Sequence, residues 1–263
     1  MSSEKIKNQK LTLKKLKNKF ESQRVIVLGC SPYLIDYNKL DLEKILGKNK
    51  VMGIKQSYKI FKNFVDIHVY NCCNIEQYNY ENQKPLVVEA SSTIPSNNSF
   101  DMFFHIKERN EENSLSSVCS KTNSSDFLSN WSLSNYENNV LSSAWHGFDI
   151  HLRPFGPGIM SELVFYLCEH LGFSEIILIG CDNEPKKNQT HFYRNKKNEY
   201  EAASNDPHKT SPWLDFEKEK KMFLNLMTYW NDWFLKKNKK IKLVSNFNNY
   251  PDCIEKLQLN ELL

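Results

Sequence analysis

Apolar positions along the chain follow two rhythms. Short, nearly continuous apolar runs at Arg24–Leu28, Val51–Ile54, Val65–Tyr70, Leu86–Glu89, Phe100–Ile106, Ile176–Ile179 and Ile241–Val244 predict strands. Runs of this kind suit strands buried on both faces, as in a parallel sheet covered by helices. Between them the spacing turns helical at Leu40–Leu46, Ser57–Phe61, Ile159–Leu171 and Phe216–Lys237. In the last of these Phe216, Phe223, Leu226, Met227, Trp230, Trp233 and Phe234 share one face, with Lys and Glu on the other. Such a stripe belongs against a core. The β-α-β rhythm predicts an α/β fold: a doubly wound, mostly parallel, Rossmann-like sheet with helices on both faces.

The most informative stretch is Arg153–Asp182. A turn of Pro154, Gly156, Pro157 and Gly158 opens it, an apolar helix follows, Gly172 closes the helix, and a strand ends in Gly180-Cys181-Asp182. Ligands of open parallel sheets sit outside the carboxyl ends of the strands. Gly180, Asp182 and the loop beyond them are therefore expected at the site.

Three segments depart from these rhythms. Residues 108–139 and 183–212 are long and polar, the expected composition of a lid or of active-site loops. Residues 1–23 are Lys-rich, with Ile6, Leu13, Leu16 and Phe20 near helical spacing. They form either an arm docked on the protein's own domain or a basic helix resting on anionic lipid. Residues 24–263 are expected to form one domain. After Ser245-Asn246 a short closing helix is expected.

Composition narrows the picture. With 40 % hydrophobic and 13 % aromatic residues the chain can bury a proper core, which excludes global disorder. A net charge of +4 without a concentrated basic face speaks against a nucleic-acid binder. The seven cysteines form no CxxC pair, so reduced thiols in a cytoplasmic protein are expected rather than zinc or disulfides. No apolar run approaches the ~20 residues of a membrane helix. The expected location is the cytoplasm, or the inner face of a membrane if residues 1–23 touch lipid.

The candidate chemistry gathers after strand ends. Gly29, Cys30 and Ser31 follow the first strand as a small-residue turn, suited to an anion or nucleotide through backbone N–H groups and a hydroxyl, or simply to packing. The turn is neither GxGxxG nor a P-loop. Asn71 follows the third strand. Asp182 accepts from a ribose or substrate hydroxyl, or caps the next segment; with Glu184 it forms a spaced acidic pair able to hold Mg²⁺. His191, Tyr193 and His208 lie in the following loop. A histidine there serves as a general base or a donor to phosphate, or is merely exposed. His68, His105, His146, His151 and His170 are read as structural.

These motifs, taken in order, resemble a known family. VIVLGCSPYL, GPGIMSELVFYLCEHLGFSEIILIGCDN, PHKTSPWLDFEKEKKMFLNL and KIKLVSNFNNYPDCIEKL resemble segments of Rossmann-like bacterial glycosyltransferases. The type case is the family 42 CMP-sialic-acid sialyltransferases; the motility-accessory-factor and hydroxymethylpterin diphosphokinase-like domains are also similar. The likeness covers about half the chain, and the ordered set is more specific than any one motif. It implies an inverting, metal-independent transfer from a CMP-linked nonulosonic or related acid to a surface-glycan acceptor. By the same resemblance His208 would be the general base, and Tyr193 with His191 would bind the leaving phosphate. Gly29, Cys30, Ser31, Asn71, Gly158, Gly180 and Asp182 would line the nucleotide pocket. Tyr33 and the Gly156-Pro157-Gly158 turn depart from the sialyltransferase pattern, and His191-Phe192-Tyr193 is closer to the accessory-factor branch. Two other readings stay open: a Mg²⁺-dependent diphosphate-transferring enzyme acting on a pterin or similar substrate, and a non-catalytic nucleotide-binding relative.

Overall fold

In a computed structural model the chain folds around one parallel sheet. Residues 3–71, 78–80, 85–91, 100–107, 152–154, 159–182, 184, 216–247 and 250–263 are described. The strands are β1 (Arg24–Leu28), β2 (Lys50–Ile54), β3 (Ile67–Asn71), β4 (Leu86–Ser91), β5 (Met102–Lys107), β6 (Leu152–Pro154), β7 (Glu175–Ile179), β8 (Lys240–Val244) and β9 (Glu255–Leu257). They form a nine-stranded sheet in the order β6-β5-β4-β3-β2-β1-β7-β8-β9, with every neighbouring pair parallel. The chain lays strands outward from β1 to β6, then returns to place β7 on the other side of β1. The order therefore reverses between β1 and β7.

Strand alternation divides the core in two. One face carries Val25, Val27, Met52, Ile54, Ile67, Val69, Ile176, Leu178, Ile241 and Leu243. It is covered by α1 (Ser3–Leu16), by the helix of the central stretch and by α5 (Phe216–Leu235). The opposite face carries Ile26, Leu28, Val51, Tyr70, Ile177 and Ile179 beneath α2 (Lys39–Lys48) and α3 (Ser57–Phe61). The Asn38 side chain starts α2 by accepting from the Leu40 and Asp41 amides. Helices on both faces make the sheet doubly wound, as the sequence predicts.

The central helix begins with a π-helical turn, Met160–Val164, and continues as α4 (Phe165–Leu171). Gly172 ends it in the left-handed conformation. The α5 stripe packs against it: Trp230 lies 5.4 Å from Phe165 and 4.8 Å from Tyr166, ring to ring. Trp233 donates from Nε1 to Glu169 Oε2 at 3.0 Å, and Lys237 pairs with the same carboxylate.

Several boundaries differ from expectation for identifiable reasons. β3 and β5 start two residues late because an aspartate precedes each. The Asp66 amide donates to the Val51 carbonyl while its Oδ2 accepts from the Val51 amide; Asp101 does the same with Val87. Each carboxylate thus stands in for a strand residue at the sheet's amino edge. β6 includes Pro154, which the sequence reading assigns to a turn; proline is tolerated at a strand on the sheet's edge, where no further ladder bond is needed. The closing helix is preceded by β9 and reduced to a 3-10 turn, Leu259–Leu262.

The amino-terminal arm docks on its own domain. Leu13 is buried in the core, and Leu16 and Phe20 pack against it. Phe20 stacks on Phe173 at 5.1 Å, and His170 Nε2 donates to the Leu13 carbonyl at 2.7 Å. The buried Gln9 side chain brackets the Phe103 backbone, donating to its carbonyl at 2.8 Å and accepting from its amide at 3.0 Å. Leu13, Leu16 and Phe20, three residues of the stripe that would face lipid in the membrane reading, are therefore occupied by the domain itself. No helix among the described residues is long and apolar enough to cross a membrane.

Among the described residues Trp230 is the largest fully buried side chain. Trp230→Ala is expected to lower unfolding stability by about 3–5 kcal/mol in urea titrations, from lost transfer energy plus a cavity.

Candidate functional site

The strand order reverses between β1 and β7, and a reversal of this kind is where open α/β sheets bind ligands. The two strands run in register from Arg24↔Glu175 to Leu28↔Ile179, and their pairing does not stop there. The Gly29 amide donates to the Ile179 carbonyl at 2.9 Å, and the Ser31 amide to the Gly180 carbonyl at 2.8 Å. The two candidate turns are thus held edge to edge.

That contact permits only glycines. A Cβ on Gly29 would lie 2.6 Å from Cys181 Sγ and closer still to the Gly180 carbonyl oxygen. Gly180 has φ +69°, and a Cβ there would also meet Leu34 at 3.0 Å. Sequence placed both residues at the site; the structure adds that each is needed for the approach of the two strand ends.

The same bonds correct one part of the sequence reading. The Gly29 and Ser31 amides are engaged in strand pairing, so they do not form a free N–H cradle for an anion. Ser31 is buried, and its Oγ accepts from the Tyr33 amide at 3.2 Å. What Ser31 can still offer a ligand is its hydroxyl proton.

Asp182 is fully buried, and its Oδ1 accepts from Ser245 Oγ at 2.6 Å. Ser245 in turn accepts from the Phe247 amide at 3.1 Å. The carboxylate therefore ties the loop after β7 to the loop after β8, closer to the capping alternative than to a direct substrate contact. Around it, Tyr37 donates to the Val244 carbonyl at 3.3 Å and Tyr250 to the Cys181 carbonyl. Burial above all pushes both phenols above the ordinary tyrosine range, helped next by Asp182 at Tyr37 and by Cys181 and then Asp182 at Tyr250, so they remain protonated donors. Burial likewise pushes the Cys181 thiol up, helped by Asp182, which keeps it from being a thiolate nucleophile near neutral pH. Tyr33 and Phe247 meet edge to face at 4.6 Å, bridging the loops after β1 and β8. The Tyr33–Phe247 and Tyr37–Val244 links join the chain after β1 to β8 and the loop after it, across the end of β7. The β2 side is lined differently.

There the structure brings in a residue that sequence reading missed. Gln56, in the turn after β2, is 2 % exposed, and its Oε1 has no hydrogen-bond partner. A buried amide oxygen in that state costs about 1–3 kcal/mol unless something donates to it. Its neighbour Ser57 donates to the Leu28 carbonyl at 3.0 Å, and Cys30 Sγ donates to the Ile54 carbonyl at 3.2 Å. Gln56 thus sits beside the β1 turn. A polar residue ahead of an apolar helix after a strand end was the only available signal.

Asn71 ends β3 on the same carboxyl edge, two strands from β1. Gly158, His191, Tyr193 and His208 lie outside the described residues, as do the segments 108–139 and 185–212. Among the described residues no group of three or more His, Cys, Asp or Glu side chains is placed to hold a metal ion. Cys30, Cys168, Cys181 and Cys253 are free thiols. No protein-family model matches the chain, and no curated protein matches it.

The close approach makes a sharp contrast between two glycines. Gly29→Ala should cost about 3 kcal/mol or more in urea unfolding, because the new methyl meets backbone. Gly47→Ala, in α2 with its nearest contact at 4.0 Å, should instead stabilise by about 0.5–1 kcal/mol through helix propensity.

Proposed function

We propose that the chain is a glycosyltransferase that moves a sugar, a CMP-linked nonulosonic or related acid, from its nucleotide to a hydroxyl of a surface glycan. The observation that carries this reading is the juxtaposition at the switch point. VIVLGCSPYL and the GCD end of the central stretch, two of the four segments that carry the family resemblance, are hydrogen-bonded to one another where a nucleotide would bind. The unsatisfied Gln56 oxygen adds an acceptor suited to an amino or hydroxyl donor of a nucleotide.

In this reading Gly29, Cys30, Ser31, Asn71, Gly158, Gly180 and Asp182 build the nucleotide pocket, the glycines and Asp182 by shaping it. Tyr193 and His191 stabilise the leaving phosphate. His208 takes the acceptor's proton as the acceptor oxygen attacks the anomeric carbon and the CMP phosphate departs, which inverts that carbon. Most of the catalytic effect comes from positioning and from stabilising charge on the leaving phosphate, with no metal required. The protein works in the cytoplasm on a nucleotide-sugar donor and a glycan acceptor, without nucleic acid.

A thermal-shift panel of CMP, CDP, UDP, GDP and ADP is expected to show a rise with CMP alone, since a ligand binding only the native state raises the melting point. His208→Ala should keep that shift and lose about 10²-fold or more in turnover. Unchanged turnover would remove His208 as the base. A shift with ADP together with EDTA-sensitive activity would favour diphosphate transfer instead.

A further inference from the structure

The turn that carries Gln56 is held by an interaction that lies outside the nucleotide pocket. Lys55 has φ +48°, a left-handed conformation that costs a side-chain-bearing residue on the order of 1 kcal/mol or more. Its backbone is correspondingly well anchored. The amide donates to the Val69 carbonyl at 2.8 Å, and the carbonyl accepts from the Tyr58 amide at 3.2 Å and meets His68 Nε2 at 2.8 Å.

A carbonyl only accepts, so Nε2 of His68 carries the proton. His68 is fully buried, and burial pushes its pKa down to about 3 against the opposing pull of the Lys55 carbonyl, so the ring is neutral. Nδ1 is then an acceptor, and Tyr80 lies 2.7 Å away with its hydroxyl as donor. Tyr58 stacks on the imidazole at 4.6 Å, Tyr78 meets it edge-on at 4.5 Å, and Tyr70 lies at 5.3 Å. The ring is caged by tyrosines and has one tautomer compatible with both of its hydrogen bonds. The apolar setting strengthens each bond and raises the cost of losing it.

We infer that His68 is a positioning residue for the switch point: its Nε2–H tautomer, imposed by the Lys55 carbonyl and completed by the Tyr80 hydroxyl at Nδ1, fixes the left-handed Lys55 turn and thereby the placement of Gln56. The relay couples the connection after β3, where Tyr80 lies, to the binding edge of β2. The ligand half of its test rests on the nucleotide reading above; the spectroscopic half does not.

Imidazole nitrogen spectra of the ¹⁵N-labelled full chain at neutral pH should show His68 protonated at Nε2 and bare at Nδ1. The opposite tautomer overturns the proposal. Tyr80→Phe removes the donor to Nδ1 without removing the ring, so the Nδ1 resonance should move toward that of a nitrogen without a hydrogen bond while Nε2 keeps its proton; an unchanged Nδ1 resonance overturns the Tyr80 contact. His68→Ala should displace the Lys55 and Gln56 backbone resonances, and His68→Gln, whose side-chain N–H can replace the donor, should return them toward wild type. Equal displacement in both variants overturns the positioning role. CMP affinity should fall about tenfold in His68→Ala and recover to within about threefold in His68→Gln, the scale of one hydrogen bond. A wild-type chain with no response to CMP counts against the nucleotide reading alone and leaves the spectra to decide this one.

Discussion

The architecture depends on how closely β1 and β7 approach at their carboxyl ends. Adjacent parallel strands normally part where the sheet stops, and the loops diverge. Here the pairing runs on through Gly29 and Ser31 into Gly180 because Gly29 presents no side chain to Gly180 and Cys181, while Gly180 turns at φ +69° beneath Leu34. The strand order reverses at this pair, so the approach fixes where the loops of the two half-sheets meet. Everything nearby is organised around it: Ser57 bonds to the last carbonyl of β1, and Leu34 packs over Gly180. Asp182 and Ser245 join the next two loops.

Polar groups at this edge fall into two kinds. The β8 side is tied together by internal bonds: Asp182 Oδ1 has Ser245, Tyr37 has Val244, and Tyr250 has Cys181. These contacts shape the edge. The β2 side keeps an unmet acceptor on Gln56, within a turn anchored from below by His68. Rigid support beneath an unsatisfied group is how a binding edge is preorganised. The opposite, amino edge is tied by charges: Glu175 pairs with Arg24 and, at 3.0 Å, with Lys242, which also reaches Glu255 at 3.0 Å. Burial raises the Glu175 pKa, yet its two cationic partners outweigh that and hold it below the ordinary carboxylate range.

Much of the fold was legible because parallel strands buried on both faces leave unmistakable apolar runs, and seven of the nine described strands fall on predicted ones. The two that were missed, Leu152–Pro154 and Glu255–Leu257, are three-residue strands at the sheet's edges. An edge strand so short has no pattern to read. The start of β3 and of β5 was misjudged because Asp66 and Asp101 act through their side chains, which apolar periodicity cannot register. At the site, the glycine turns could be located but not interpreted: whether an amide faces a ligand or a neighbouring strand depends on strand order. Asp182 was visible as an acid after a strand, whereas its bond to Ser245, 63 residues later, was not. Gln56 and His68 carry no motif, and their roles follow only from burial and hydrogen bonding.

The central claim is that the carboxyl ends of β1 and β7 form the floor of a nucleotide site. A crystal structure of the chain with CMP tests it directly. The account predicts nucleotide density over Gly29–Ser31 and Gly180, with a donor group on the ligand meeting Gln56 Oε1. Nucleotide bound elsewhere, with that edge unchanged and Gln56 still without a partner, would contradict it.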